Sequence, residues 1–199
     1  MGRRAGIKPE ETRERLVDAA ARVFQLKGYE GATVSLIAQE AGVTSGAIYA
    51  HYPNKAALLV DALRVHRERA TAVLFPPESR ADAAGLLVAL GSRLGNRDDE
   101  STLLLAEALL AARRDQELAD VLVAALGDRE QTMADLLARG QADGQLADDF
   151  SAATGARFAL MLSLGSMLVH ALALPATDPD DWNAFVRRFI GAFTQETTE

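Results

Sequence analysis

The strongest constraint on the fold comes from two short helical patterns that flank a single glycine, Gly42. Thr33 can cap a helix that ends at Ala41, and Thr44 can cap a second short helix over residues 45–51. Glycine readily adopts the left-handed conformation that a tight turn between them needs. Two short helices joined in this way form a helix-turn-helix, which can place its second helix in the major groove of DNA.

The apolar residues of this segment fit the same interpretation. Ile37 and Ile48 are expected to face inward, Ala38 is small where the two helices cross, and Val43 can fill the turn. A longer amphipathic helix precedes them over residues 9–27. The combination is far more specific than any one of these residues.

The rest of the chain is also predicted to be helical. Only 6% of the residues are aromatic, and Ala, Leu, Arg, Glu and Asp dominate. We therefore expect an all-α fold of about nine helices, and Gly127 is a point at which the long seventh helix could break. The predicted helices span residues 9–27, 34–41, 45–51, 55–74, 79–94, 101–113, 115–142, 149–174 and 179–195.

Charge is distributed unevenly along the chain. The formal net charge is −7, yet the segment through Ala70 holds 11 Lys or Arg against 8 Asp or Glu, and the remainder holds 10 against 20. This asymmetry is typical of a DNA-reading head on an acidic body. With no cysteine and no apolar stretch after the basic N-terminal residues, we expect a cytoplasmic protein without disulfides or a signal peptide.

The most apolar window, Phe158 to Leu174, is borderline for spanning a bilayer at about 17 residues. Polar and small residues interrupt it, namely Ser163, Gly165, Ser166 and His170. We therefore expect a buried helix and no membrane association.

The stretch from Gly28 to Leu59, GYEGATVSLIAQEAGVTSGAIYAHYPNKAALL, resembles the signature of the TetR family of bacterial regulators. The resemblance extends from Pro9 to about Leu63. It implies a homodimer whose protomers carry a DNA-binding domain, here residues 1–56 with the motif at about 33–52, and a ligand-binding and dimerisation domain, here residues 57–199. It also implies a repressor that a small effector releases from a palindromic operator.

The resemblance further implies roles for individual residues at the DNA. Phosphate contacts fall to Thr33, Thr44, Tyr49, His51 and Lys55. Base contacts fall to Ser45, Gly46, Ala47 and Ala50. Only Ser45 in the second group can hydrogen-bond a base through its side chain, so shape and phosphate contacts should supply much of the affinity. Tyr49 could instead be a core tyrosine and His51 an ordinary surface residue, and Arg3 and Arg4 could either reach a minor groove or form a solvated tail.

The C-terminal helices offer a partner surface and a cavity. We expect a four-helix bundle between protomers, formed by Ala159, Ser163, Ser166, Trp182, Phe185 and Phe189, unless these faces are consumed inside one subunit. Candidate walls of a pocket for a small hydrophobic effector are Met133, Leu137, Arg157, Phe158, Met161, Leu162 and His170, although each could be ordinary core.

Other functions find little support in the residues. The three histidines, His51, His66 and His170, lie in separate segments without metal-binding spacing, and we find no phosphate-binding loop or nucleophile elbow. We therefore expect no enzyme activity, no cofactor and no metal. The main alternative is a helical interaction module without specific DNA binding.

Overall fold

The computed structural model describes residues 9–72, 82–95 and 100–194, and nine α-helices account for most of them. This confirms the all-α prediction. The helices are α1 (Pro9–Gly31), α2 (Val34–Ala41), α3 (Ser45–Tyr49), α4 (Lys55–Ala72), α5 (Ala83–Gly95), α6 (Glu100–Ala111), α7 (Gln116–Ala142), α8 (Ala152–Ala171) and α9 (Pro179–Gly191).

Most helix ends lie close to their predicted positions. Gly28 has a φ of 68° and kinks α1 where the helix was predicted to end, and a further turn continues to Gly31. The second short helix ends at Tyr49, earlier than predicted, and α7 runs through Gly127 without a break. α8 begins later than predicted because Ser151 caps it by accepting a hydrogen bond from the Thr154 amide. The predicted end of the fourth helix, at residue 74, lies outside the described residues.

The first of two compact units contains α1 to α4 together with residues 104–123 of α6 and α7. Its core is a continuous apolar cluster that includes Leu16, Phe24, Ile37, Ile48, Leu58, Leu59 and Leu118. The predicted boundary at residue 56 lies at the second residue of α4, whereas this packing unit continues through the helix. As a limit of the DNA-binding function, that boundary stays a prediction.

The second unit contains α5, α8, α9 and the rest of α7. Within it α5 approaches α9 closely, because Gly91 and Gly95 leave room for larger side chains. A Cβ atom at Gly95 would lie 2.5 Å from the indole of Trp182, and one at Gly91 would lie 2.8 Å from Val186. The Trp182 indole also donates a hydrogen bond to the Gly91 carbonyl at 3.1 Å.

The apolar segment near residue 160 is a helix, α8, but it is not buried as we expected. Only Ala156, Ser163 and Met167 of α8 are buried. Large apolar side chains remain exposed along it, namely Phe158, Met161, Leu162, Leu168 and Val169. By length and composition alone α8 could cross a membrane. Its apolar side chains thus remain largely uncovered within the protomer.

Candidate nucleic-acid interface

Local hydrogen bonds build the helix-turn-helix as its sequence predicts. Thr33 Oγ1 accepts from the Leu36 amide at 3.2 Å, and Thr44 Oγ1 accepts from the Ala47 amide at 3.2 Å. Gly42 ends α2 in the left-handed conformation, with a φ of 66°. The two caps and the turn fix the directions of α2 and α3.

The inward face of the motif is closely packed. Ile37, Ala38 and Ile48 are buried, and Val43 packs against the same core. These positions confirm the predicted inward set. Because buried Ile37 and Ile48 anchor the two short helices to the core, the outward faces of these helices are held in fixed positions.

The predicted DNA-contacting residues lie mostly at the surface. Thr33, Thr44, Gly46, Tyr49, Ala50 and His51 are exposed, while Ser45, Ala47 and Lys55 are half-buried. The Tyr49 side chain is 58% exposed, which excludes the alternative of a core tyrosine. The outward face of α3 therefore presents one large aromatic side chain among small ones.

A carboxylate that the sequence did not single out ties the motif to its neighbours. Asp61 accepts hydrogen bonds from the Tyr52 hydroxyl at 2.6 Å, from Arg13 at 2.6 Å and from Arg64 at 2.7 Å. Burial raises the pKa of Asp61, but these three donors together outweigh it and hold the pKa below its ordinary value. One residue thereby connects α1, the segment after α3 and α4.

Arginines of α1 also support α2. Arg15 donates to the Ala41 carbonyl at 2.7 Å, which satisfies a free backbone acceptor at the end of α2. Arg22 pairs with Glu40 at 2.8 Å on the surface. No sequence pattern pairs residues so far apart, so these contacts could not be read from the chain alone.

Lys55 lies at the start of α4 as predicted, but its ammonium points into the protein. Its Nζ donates to the carbonyls of Tyr29 at 2.6 Å and Ala32 at 3.0 Å, and it lies 4.1 Å from the centroid of the Tyr29 ring. Burial lowers the pKa of Lys55, opposed by the carboxylates of Asp115 and Glu30. This geometry differs from the phosphate contact that the family resemblance implies.

Two residues at the start of α7, Asp115 and Glu117, accept hydrogen bonds from the segments before and after the motif. The Tyr29 hydroxyl donates to Asp115 Oδ2 at 3.1 Å, and Asp115 Oδ1 caps α7 through the Leu118 amide at 3.0 Å. Asn54 donates to Glu117 at 2.7 Å, while its side-chain oxygen caps α4 by accepting from the Ala57 amide at 2.7 Å. The segments on both sides of the helix-turn-helix are thus hydrogen-bonded to the start of α7.

The candidate effector residues differ widely in exposure. Leu137 is buried, His170 is half-buried, and Phe158, Met161 and Leu162 are exposed. Arg157 is paired with Glu130 at 2.6 Å on the surface. The exposed residues of α8 lie outside the packed core of the protomer, and their part in an effector pocket stays a prediction.

Met133 does line a cleft between α7 and α8. The cleft is shallow, has a volume of about 30 Å³, is open to solvent, and is lined by Arg129, Glu130, Met133, Ala156, Ala159 and Leu160. Among the described residues, no group of three or more His, Asp or Glu side chains could hold a metal ion.

The predicted dimer residues divide into outward and inward members. Phe185 is 62% exposed and stacks on Phe189, whose ring also lies 6.1 Å from that of Phe158. Ser163 was predicted to lie in the dimer interface, but it is buried inside the unit and accepts a hydrogen bond from Arg129 at 2.6 Å. Its hydroxyl therefore faces the protomer's own core.

Ala159, Ser166 and Trp182 are half-buried within the protomer. Ala159 borders the cleft, Ser166 donates to the Ser163 carbonyl at 3.0 Å, and Trp182 packs on α5. The exposed aromatic surface thus centres on α9 and on the Phe158 side of α8.

Comparison with known proteins supports the N-terminal motif. Residues 16–62 match the model of the family described as bacterial regulatory proteins, tetR family. A segment of 78 residues is 40% identical to the HTH-type transcriptional regulator SrpR of Pseudomonas putida. This segment is 39% of the chain and spans only 36% of that relative.

Solved structures resemble almost the whole chain in fold. A protein from Rhodococcus sp. described as a TetR-family transcriptional regulator superposes with a TM-score of 0.77 at 23% identity, covering 94% of this chain and all of that one. A protein from Saccharomonospora viridis described as a transcriptional regulator, solved in complex with choline, gives a TM-score of 0.65 at 21% identity. The superposition covers 94% of this chain and the whole of the Saccharomonospora viridis protein.

Proposed function

We propose that this chain, a member of the TetR family of bacterial regulatory proteins, regulates transcription by binding operator DNA through α3. The observation that carries this proposal is the exposed face of α3, held from below by Ile37 and Ile48 and flanked by the capped N-termini of α2 and α3. Exposed helix N-termini favour phosphate oxygens. The arrangement therefore suits docking into a major groove.

Recognition would combine backbone anchoring with a sparse reading of bases. Thr33, Thr44, Tyr49 and His51 would contact phosphates, since all four are exposed. Ser45, Gly46, Ala47 and Ala50 would meet the base edges, where methyl groups and close backbone approach replace most hydrogen bonds. DNA shape would then supply part of the specificity.

The exposed apolar surface of α8 and α9 would form a homodimer. Phe158, Met161, Phe185 and Leu168 would pack against the same helices of a second copy, as in a four-helix bundle. A self-complementary surface of this kind gives a two-fold dimer. Two α3 helices would then read the half-sites of a palindromic operator.

A small molecule would control the regulator. The chain would act in the cytoplasm as a repressor, and binding of the small molecule would release it from its operator. The structural neighbour from Saccharomonospora viridis holds choline, which supports a small-molecule role for this fold. In this chain the cleft beside Met133 is the candidate site, with an apolar floor at Ala156 and Leu160 and a charged rim at Arg129 and Glu130. Because the cleft has a volume of only about 30 Å³, an effector with an apolar body would have to widen it on binding.

Selection of duplexes from a random library by the full chain tests this function. We expect enrichment of an inverted repeat, because a two-fold dimer contacts two equivalent half-sites. An interaction module without specific DNA binding would enrich no sequence, and that result would overturn the proposal.

Two variants sharpen the assignment of residues. Ser45→Ala should change the preferred base at one position of each half-site, because it removes the one side-chain hydrogen bond to a base. Tyr49→Phe should weaken all selected sequences to a similar extent, since it removes a phosphate contact. If Ser45→Ala leaves the selected sequence unchanged while Tyr49→Phe alters it, the roles of the two residues are reversed.

A further inference from the structure

We propose that Lys55 is a positioning residue, which fixes the turn between α1 and α2 from inside the protein and does not itself contact a phosphate. The proposal rests on the DNA-binding function proposed above, and it replaces the phosphate contact implied by the family resemblance. Its basis is the use of the ammonium group within the first unit.

The ammonium group has three donors, and the protein engages it on three sides. The carbonyl of Tyr29 accepts at 2.6 Å and the carbonyl of Ala32 at 3.0 Å. The Tyr29 ring, 4.1 Å away, presents the face that attracts a cation. A phosphate oxygen could bind this ammonium only if one of the three contacts were given up.

These contacts control a residue on the DNA-binding surface. Ala32 directly precedes Thr33, the cap of α2, so holding the Ala32 carbonyl fixes the point at which α2 begins. The direction of the free amides of α2 then follows. Lys55, as the first residue of α4, thus locks the segment before the motif to the segment after it.

Tyr29 is held in turn by α7. Its hydroxyl donates to Asp115 Oδ2, and the other oxygen of the same carboxylate caps α7. We call Lys55, Tyr29, Ala32 and Asp115 the Lys55 clamp. Loss of the clamp should loosen α2 without removing a charge from the protein–DNA interface.

The salt dependence of operator binding distinguishes a clamp from a phosphate contact. Each phosphate neutralised by a cation makes the slope of log affinity against log salt concentration more negative by about 0.9. The affinity of the full chain for a selected operator would be measured by fluorescence anisotropy over a salt series. The proteins compared are the wild type, Lys55→Met and Lys27→Met, the last removing an equal charge from an exposed position on α1.

We expect Lys55→Met to weaken binding by about tenfold, the equivalent of losing one well-placed contact. Its salt slope should equal that of Lys27→Met. A slope that is less steep than that of Lys27→Met by about 0.9 would show a direct phosphate contact and overturn the clamp. A Lys55→Met protein with wild-type affinity would overturn it as well.

Labelling of lysine amines in the wild type provides a test that does not depend on a folded variant. With an acylating reagent and mass spectrometry, Lys55 should react roughly tenfold more slowly than Lys27, because its contacts must open first. This ratio should be the same with and without operator. If Lys55 reacts as fast as Lys27 in free protein and becomes protected by operator, the clamp is overturned.

The two proposals fail in different ways. A wild-type chain that binds no duplex in preference to random DNA overturns the proposed function. If the wild-type chain binds its operator but the salt slope of Lys55→Met is less steep than that of Lys27→Met by about 0.9, only the clamp is overturned.

Discussion

Asp61 is the side chain whose removal should most weaken the first unit, because three donors from separate segments share its carboxylate. Its side chain is only 14% exposed, whereas Arg13 and Arg64 are about two-fifths exposed. Hydrogen bonds to charged groups contribute roughly 1.5–3 kcal/mol. We expect Asp61→Asn to lower the free energy of unfolding by about 2 kcal/mol, measured by urea denaturation at neutral pH.

The exposed pair between Arg22 and Glu40 supplies the matched control. Because both side chains are about half-exposed, Glu40→Gln should change the free energy of unfolding by less than about 1 kcal/mol. Equal effects of Asp61→Asn and Glu40→Gln would show that Asp61 is not the central connection of the unit.

The stabilisation by Asp61 should also depend on pH. Its carboxyl binds a proton less tightly in the folded chain than in the unfolded one, because the pKa of Asp61 is lowered on folding. The contribution is therefore fully present above the ordinary carboxyl pKa and is lost as the pH falls through the lower folded-state value. Urea denaturation should show a constant difference between wild type and Asp61→Asn near neutral pH, and a narrowing difference in acid. A difference that grows in acid would contradict this account.

At the scale of the helical elements, two glycines of the motif should respond oppositely to alanine. Gly42 has a φ of 66°, a conformation that costs an alanine about 1 kcal/mol. Gly46 lies within α3, and a Cβ there would approach no atom closer than 3.8 Å. We expect Gly42→Ala to lower the thermal midpoint, and Gly46→Ala to leave it unchanged or raise it, since alanine favours a helix by about 1 kcal/mol over glycine.

DNA affinity should follow a different order from stability. Gly46→Ala should weaken operator binding, because the added methyl group stands where the backbone would approach the bases. A Gly46→Ala protein with unchanged affinity and selected sequence would place α3 further from the bases than we propose.

The sequence predicts those features of the helices that depend on neighbouring residues. Caps at Thr33 and Thr44 and the turn at Gly42 depend on neighbours within a few residues, so they could be predicted. The partners of Lys55 and Asp61 depend on how α1, α4 and α7 pack, which no local pattern encodes. The outward face of α8 was also missed, because a helix that is apolar all round does not indicate which side a partner covers.

At the scale of the whole molecule, the exposed aromatic surface should decide the oligomeric state. Phe185 is 62% exposed in the protomer, so Phe185→Glu should spare the fold while placing a charge in the proposed interface. We expect sedimentation velocity to show a monomer. Leu110→Glu, a control at a 70% exposed position on α6, should remain dimeric. A dimeric Phe185→Glu protein would place the interface elsewhere.

Whether this chain reads a specific DNA sequence can be measured by a fluorescence anisotropy titration of the full chain. The chain would be titrated onto its selected inverted repeat and onto a random duplex of equal length, each at two salt concentrations. We predict binding to the inverted repeat at least about a thousandfold tighter than to the random duplex, with an affinity that falls steeply as salt rises. Equal affinity for the two duplexes at both salt concentrations would show that the chain does not read a specific sequence.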